Sequence, residues 1–386
     1  MARDVLSDVA AAVGLREGRS GVEEVLRHLA TREVAATRDL SRLTGLPVPL
    51  VAAVCGELRR AGLLTAGRPA RLTRLGRECS DSLGGDRPPD PCRCDACGGT
   101  GVVLPAAYAA LAGRLEALLE GVPAVDRALD QAHCTVETKL RRVAYLWDAG
   151  ALSGRSVLLL GDDDQVAIAI GLAATALGLR PPSRLVVLDV DPAVVAFAGA
   201  GLERLGATAE LVVHDVRRPL PERLRSGFDA VLTDPPYTPA GAELFLSRAA
   251  AALRPEPGRQ AFLCLGARPP DEGVAVQGAI AGMGFAIHRL VRNFNEYVGA
   301  GALGGASHLY HLVTGGRLAA SVAGDYDAPL YTGEVRRVAR PYACGACGAR
   351  LAVGPRERWP TVEDLRRAGC PRCAGTVFRP GRRGRP

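Results

Sequence analysis

The chain predicts an α/β protein centred on a doubly wound parallel sheet, and three observations carry that prediction. Between Arg155 and about Gly316, short apolar runs of strand length alternate with stretches of helical length. The first run, Leu158-Leu159-Leu160, enters the turn Gly161-Asp162-Asp163-Asp164, and a later one, Phe228 to Thr233, enters Asp234-Pro235-Pro236-Tyr237-Thr238. Open α/β sheets bind ligands outside the carboxyl ends of their strands, so both acidic turns should open on one crevice.

From the N-terminus, Val22, Val25, Leu26 and Leu29 mark one apolar helical face, Asp39 to Leu46 a short second helix and Val48 to Ala61 a third. Leu63-Leu64 and Arg71-Leu72 then read as a two-stranded wing, which predicts a winged helix over residues 1–85. In a DNA reader the start of the third helix meets base edges, but Val48, Pro49, Leu50, Val51 and Ala52 offer none of the side chains that read bases. Docking or dimerisation therefore fits better, with Arg68, Arg71 and Arg74 as the argument for DNA.

Residues 86–150 read as a cysteine-rich linker and connecting helices. Asp81 to Pro91 is rich in Gly, Pro and Asp and leads into Cys92-Arg93-Cys94-Asp95-Ala96-Cys97, the shape of a zinc knuckle. A fourth ligand would come from Cys79, His133, Cys134 or a second subunit.

Within residues 151–320 the expected strands are Val157 to Leu160, Leu185 to Asp189, Ala209 to His214, Phe228 to Thr233 and Gln260 to Gly266. Phe285 to Asn293 and His308 to Thr314 would close the sheet as an antiparallel pair, the class I methyltransferase type of Rossmann-like fold. Residues 340–378 hold Cys344-x-x-Cys347 and Cys370-x-x-Cys373, separated by 22 residues, as in zinc-ribbon and rubredoxin-like modules. Four thiolates close a zinc coordination sphere, so that metal would be structural. Residues 379–386 read as a basic disordered tail.

Composition sets the outer bounds. The 386 residues, 48% of them hydrophobic, suffice for two or three domains. With no long uncharged apolar run and a charged N-terminus, the chain reads as cytoplasmic and unconnected to a membrane. The closely spaced cysteines among eleven fit metal better than disulfides. A formal charge of +7 is spread over many arginines, so nucleic acid is not the favoured partner.

The acids point to a particular chemistry. Asp189 and Asp191 follow the second strand, where carboxylates take ribose hydroxyls, and Asp215 follows the third, where one accepts from an adenine amino group. With Gly161 they form the expected cofactor-binding set. Asp162, Asp163 and Asp164 would repel a diphosphate, and would also repel the carboxylate of S-adenosylmethionine. Decarboxylated S-adenosylmethionine carries an ammonium and a sulfonium there instead, so aminopropyl transfer is the favoured reaction. An acceptor amine with a pKa of about 10 needs a carboxylate to bind it and take its proton. Asp162, Asp163, Asp164 and Asp234 are thus the catalytic candidates, Tyr237 and Thr238 the substrate-binding ones. One acid of the triplet, Asp162 first, is also placed to cap the following helix. His214 and His308 read as structural.

The pairing of Gly-Asp-Asp-Asp with Asp-Pro-Pro-Tyr-Thr resembles the branched-chain polyamine synthases, the N4-bis(aminopropyl)spermidine synthases. The resemblance extends through Leu129-Asp130-Gln131 and Thr135-Val136-Glu137-Thr138 and covers Gly21 to Gly315. It implies stepwise aminopropyl transfer from decarboxylated S-adenosylmethionine to the secondary amine of spermidine, with methylthioadenosine released. Asp162 to Asp164 would serve as amine-binding and catalytic acids, completed by Asp234 and Tyr237. Apart from the resemblance, the winged helix makes a homodimer the expected assembly. Two rivals remain: an amino-methyltransferase acting on nucleic acid or protein, which also uses Asp-Pro-Pro-Tyr, and a ligand-sensing DNA-binding regulator without turnover.

Overall fold

The computed structural model describes residues 4–32, 34–83, 97, 101–298, 305–335, 340–354, 357–359 and 362–380. Five helices open the chain: α1 (Val5–Val13), α2 (Gly18–Arg32), α3 (Thr37–Thr44), α4 (Val48–Arg60) and α5 (Arg74–Ser82). The apolar face predicted from Val22, Val25, Leu26 and Leu29 packs with Leu40, Val51, Val54 and Leu58 in one cluster. α3 starts two residues before the expected Asp39 and stops where Gly45 takes a φ of 75°. The short strands reduce to antiparallel bridges, Leu64 with Leu72 and Ala35 with Ala70. This unit leans on the sheet through Asn293, whose Nδ2 donates to the Arg42 carbonyl at 2.7 Å.

Three helices, α6 (Ala106–Ala109), α7 (Ala112–Leu118) and α8 (Val136–Asp148), lead into the central sheet. It contains β1 (Ser156–Leu160), β2 (Arg184–Asp189), β3 (Glu210–Val213), β4 (Ala230–Thr233), β5 (Gln260–Leu265), β6 (Phe285–Glu296) and β7 (Ala306–Thr314). The strand order is β3-β2-β1-β4-β5-β7-β6, with β7 antiparallel to both neighbours and the β1 to β5 pairs parallel. This is the methyltransferase-like arrangement that the alternating apolar runs predict. Helices α9 (Val166–Leu177), α10 (Pro192–Glu203), α11 (Pro239–Ala252) and α12 (Pro270–Gly282) cover the sheet.

Burial on both faces explains why β1 is continuously apolar. Val157 and Leu159 join a cluster with α8 and α9, whereas Leu158 and Leu160 join one with α11 on the opposite face. Leu160 pairs with Leu188 of β2 and Thr233 of β4, so the turns after these three strands leave the same edge of the sheet.

Two departures from the predicted strands matter. β6 runs past Asn293 to Glu296, which carries Asn295 to the site edge. The β3–β4 connection contains only the 3-10 turn Glu222–Leu224, and the second face is covered instead by Leu318, Ala320, Val322, Tyr326 and Tyr331, which follow β7. The fully buried Arg248 of α11 fastens that segment by donating to the carbonyls of Val322 at 2.6 Å and Gly324 at 2.8 Å. Gly284, at φ 90°, lets it cross: a Cβ there would lie 1.7 Å from the Arg317 carbonyl oxygen.

The chain continues through α13 (Thr332–Val335), β8 (Arg340–Cys344), β9 (Arg350–Val353), α14 (Val362–Ala368) and β10 (Phe378–Pro380). The last three strands form an antiparallel sheet ordered β10-β8-β9, over a small core containing Val353, Trp359, Leu365 and Phe378. Among the described residues no helix is long and apolar enough to cross a membrane.

Candidate active site

The acid triplet divides into three environments. Gly161, at φ 79°, turns the chain out of β1, and the next N–H, that of Asp162, donates to Asp189 Oδ2 at 2.9 Å. The Asp162 carboxylate then accepts from the N–H groups of Val166 and Ala167 at 2.7 and 3.1 Å, which uses both its oxygens to cap α9. Burial raises its pKa to about 7 in spite of those donors.

Asp164 is locked into an ion pair. Its Oδ2 accepts from Arg142 Nη1 at 2.7 Å, and its Oδ1 faces Lys139 Nζ at 3.4 Å and accepts from the Cys134 N–H. Burial alone would raise its pKa, but Lys139 and Arg142 hold it below the ordinary carboxylate value.

Asp163 is different: among the described residues no donor reaches its half-buried carboxylate. Burial, followed by the charges of Asp164, Asp234 and Asp189, pushes its pKa well above the usual range. An unpartnered acid surrounded by other acids would be stabilised in its charged form by a cation beside it.

Across the crevice, after β4, Asp234 Oδ2 accepts from Arg142 Nη2 at 2.7 Å and from the Tyr297 hydroxyl at 2.6 Å. Burial raises the Asp234 pKa as well. The Tyr237 hydroxyl donates to that of Tyr297 at 2.7 Å, with their rings edge to face at 6.2 Å. Thr238 caps α11 by accepting from the Gly241 N–H at 2.8 Å and donates to the Leu330 carbonyl at 2.9 Å. Thr238 is therefore a structural element of the wall.

Arg142 joins these pieces. It is 2% exposed. Besides both acids it reaches Asn295 Oδ1 at 2.8 Å and the Tyr297 hydroxyl at 3.0 Å, while Asn295 and Tyr297 each bond Ser307 at 2.9 Å. One planar guanidinium thus ties α8, both acidic turns and the β6–β7 hairpin together.

The second-strand and third-strand acids sit at the same edge. The Asp189 oxygens accept from the N–H groups of Asp162 and Asp191, both at 2.9 Å, Asp191 caps α10 through the Ala193 N–H at 2.8 Å, and Asp215 accepts from the Arg217 N–H at 2.9 Å. Gly161, Asp162, Asp163, Asp164, Asp189, Asp191, Asp215, Asp234 and Tyr237 therefore occupy turns at one end of the sheet. His214 and His308 make only backbone hydrogen bonds.

Arg142, Lys139, Asn295, Tyr297 and Ser307 were not anticipated. Composition holds a signal for one of them: of 48 basic residues, Lys139 is the only lysine. Its ammonium donates to the Cys134 carbonyl at 2.9 Å and faces Cys134 Sγ at 3.5 Å and Asp164 Oδ1 at 3.4 Å, a compact set of acceptors that a guanidinium does not match.

The cysteines also separate. Cys344, Cys347, Cys370 and Cys373 bring their Sγ atoms within 4.8 Å of one another, with Cys344 to Cys373 at 3.5 Å and Cys347 to Cys370 at 3.6 Å. Zinc–sulfur bonds of about 2.3 Å in a tetrahedron put sulfurs about 3.8 Å apart, so these thiols fit such an ion. Cys92 and Cys94 lie outside the described residues. Cys97 accepts from the Gly101 N–H at 3.2 Å and belongs to no potential metal cluster among the described residues.

Comparison with known proteins places the chain in a family. The model of the branched-chain polyamine synthase A C-terminal domain matches residues 111–313. The N(4)-bis(aminopropyl)spermidine synthase of Thermus thermophilus is 36% identical over 255 residues, 65% of this chain and 69% of its own length. Its counterpart in Methanocaldococcus jannaschii is 31% identical over 72% of this chain and 78% of its own length. The uncharacterized protein MJ0675 of that same archaeon is 33% identical over 94% of this chain and 89% of its own length. The crystal structure of the Thermus thermophilus branched-chain polyamine synthase, in complex with N4-aminopropylspermidine and 5'-methylthioadenosine, superposes with a TM-score of 0.67 and 28% identity over 86% of this chain and 98% of that one. With a domain match that spans the site, relatives aligned along most of their length and a shared fold, the chain belongs to the branched-chain polyamine synthase family.

Proposed function

We propose that this chain is an aminopropyltransferase that moves aminopropyl groups from decarboxylated S-adenosylmethionine to the secondary amine of spermidine or a related polyamine, making branched polyamines and methylthioadenosine. The observation that carries the reading is Asp163, an unpartnered acid whose charge neighbours across the crevice include Asp234. Among the described residues a methionine carboxylate has no counterion at that turn, because Lys139 and Arg142 are committed to Asp164 and Asp234.

In this reading Asp163 and Asp234 bind the acceptor as an ammonium. Asp163, held less acidic than an ordinary carboxylate, is the better base of the cluster. It takes a proton from the bound ammonium, which returns the lone pair to nitrogen; nitrogen then attacks the aminopropyl carbon, the carbon–sulfur bond breaks, and its electron pair leaves with sulfur as the neutral thioether. For the second addition the acceptor is a tertiary amine, and the acids stabilise the quaternary cation that forms. Asp164 stays ionised but paired and positions the turn, and Asp162 supports α9. Asp189, Asp191 and Asp215 hold the nucleoside, and Tyr237 with Tyr297 lines the amine side.

The remaining assignments follow the same reading: a winged helix over residues 1–85, a connecting region over 86–150, the transferase unit over 151–320 and a zinc-ribbon module over 340–378 with zinc in a structural role. The protein is read as a cytoplasmic homodimer.

The acceptor has a second reading. Methanocaldococcus jannaschii holds both a synthase and MJ0675, and the match to MJ0675 is too long to exclude the whole four-cysteine module. An acceptor other than spermidine is the second reading for a chain matched over more of its length by that second protein than by the synthase. Incubation with either decarboxylated or intact S-adenosylmethionine and a panel of linear polyamines, read by mass spectrometry, tests both readings. Aminopropyl additions with methylthioadenosine support transfer, and the amine consumed identifies the acceptor. Adenosylhomocysteine formed only from the intact donor would overturn it.

A further inference from the structure

One wall of the crevice comes from outside the strands and their crossover helices. The segment 315–335 fills the place of a helix between β3 and β4 and is pinned on both sides of the crevice. Toward β4, Thr238 Oγ1 donates to the Leu330 carbonyl at 2.9 Å. Toward β3, Arg217 Nη2 reaches the two Glu334 oxygens at 2.7 and 2.6 Å, and the Tyr326 N–H donates to the Arg217 carbonyl at 2.8 Å. The loop before α8 adds a third anchor, since Asp130 Oδ2 accepts from the Thr332 N–H at 2.6 Å. Glu334 also accepts from the N–H groups of Leu330 and Tyr331 at 2.7 and 3.2 Å.

Tyr331 is therefore suspended between the turn that holds Asp215 and the turn that holds Asp234. Its ring is half-buried, packs on the apolar cluster under the sheet and lies 5.2 Å from the Arg217 guanidinium carbon. The same Arg217 gives its backbone N–H to Asp215 at 2.9 Å, which places the ring beside that acid, and burial, then Asp215, raises the hydroxyl to about 12, so the phenol stays neutral.

We infer that Tyr331 is a specificity-determining residue whose ring stacks against the adenine of the donor, supplied by a segment beyond residue 313, where the family match ends. This rests on the nucleoside site proposed above. An adenine whose amino group meets Asp215 needs an apolar surface for its face, and the aromatic ring beside that acid provides one. The contact uses the ring and not the hydroxyl, which separates it from a polar role.

The test is binding of methylthioadenosine, measured by calorimetry without turnover. Tyr331→Ala is expected to weaken binding about tenfold to a hundredfold, the usual scale for loss of a base–aromatic stack, and Tyr331→Phe to leave it within about twofold. In the wild type, the ligand is expected to slow amide exchange across residues 326–335, a readout that holds even if Tyr331→Ala fails to fold. If wild-type protein binds the nucleoside while the alanine variant binds equally well, or while exchange in the segment is unaltered, the stacking role is overturned and the nucleoside site stands. If wild-type protein does not bind it, both fall.

Discussion

Arg142→Met removes the group on which the acid cluster depends. In the wild type, Arg142 makes ion pairs of 2.7 Å with Asp164 and with Asp234, and its side chain is 2% exposed. Methionine fills much of the volume but leaves Asp164 with Lys139 and the Cys134 N–H, and Asp234 with Tyr297. Removing one partner of a buried pair costs about 3–5 kcal/mol, a large share of the roughly 5–15 kcal/mol by which a domain is stable. Urea unfolding at pH 8, followed through Trp147 on the same helix, should show a loss of that size. Arg142→Lys retains charge but not the fork and should fall between. The pH dependence has a definite sign. The folded-state pKa of Asp164 is depressed, so the stability it contributes is present above its unfolded value of about 3.9 and is lost as pH falls through the folded value. The part of the gap between wild type and Arg142→Met that comes from Asp164 should narrow only below about 4, whereas the part from Asp234, whose pKa is raised and loses the lowering effect of Arg142, should shrink at higher pH as that acid takes up a proton. A variant within about 1 kcal/mol of wild type at pH 8, or a gap that persists unchanged at the lowest pH at which both fold, would refute the reasoning.

Asp163→Asn should lower aminopropyl transfer by about 10²- to 10⁴-fold, as expected for loss of a general base, with the nucleoside still bound. Because the folded-state pKa of Asp163 is raised, its ionisation destabilises the wild type as pH climbs from about 4 through that value. The variant should thus melt higher than wild type at pH 8 and equally near pH 4; equal melting at both would contradict the unpaired state of this acid. Lys139→Arg keeps the charge but adds bulk at a side chain only 4% exposed, so a loss of about 1–3 kcal/mol is expected in urea, and a neutral result would show that the lone lysine is compositional chance. Cys344→Ser should reduce bound zinc, measured by elemental analysis of protein purified without chelator, and lower the melting temperature. A change in kcat beyond about twofold, with metal retained, would argue against a structural site.

Much of this molecule is legible in its sequence because the burial pattern is simple. A strand covered on both faces shows as an unbroken run such as Val157 to Leu160, and the acids that follow such runs stand at the crevice by topology alone. What sequence did not disclose depends on long-range geometry. Nothing in Leu140-Arg141-Arg142 tells the first arginine, which reaches the Phe294 carbonyl, from the second, which enters the acid cluster. Tyr297 lies just beyond the predicted end of its strand, and its partners Asp234 and Ser307 are distant in the chain or across a hairpin. Asp162, Asp163 and Asp164 share a residue type and differ only in which donors fold against them. Capping was foreseen as a competing role for Asp162, whereas the ion pairing of Asp164 required the position of α8.

The segment after β7 also bears on the order in which this protein is completed. Ribosomal synthesis delivers all seven strands of the central sheet by residue 314, yet the face that α11 and α12 cover still lacks part of its apolar cover. The apolar side chains that close it arrive only with Leu318 to Tyr331. Until that stretch emerges, the nascent chain exposes hydrophobic surface of the kind that chaperones bind and that drives aggregation. A truncation made at the end of the last strand, reasonable on the evidence of sheet topology, would therefore yield an open sheet with an unfinished crevice. The smallest piece able to mature by itself should extend at least through Glu334, whose pairing with Arg217 fastens the end of that segment.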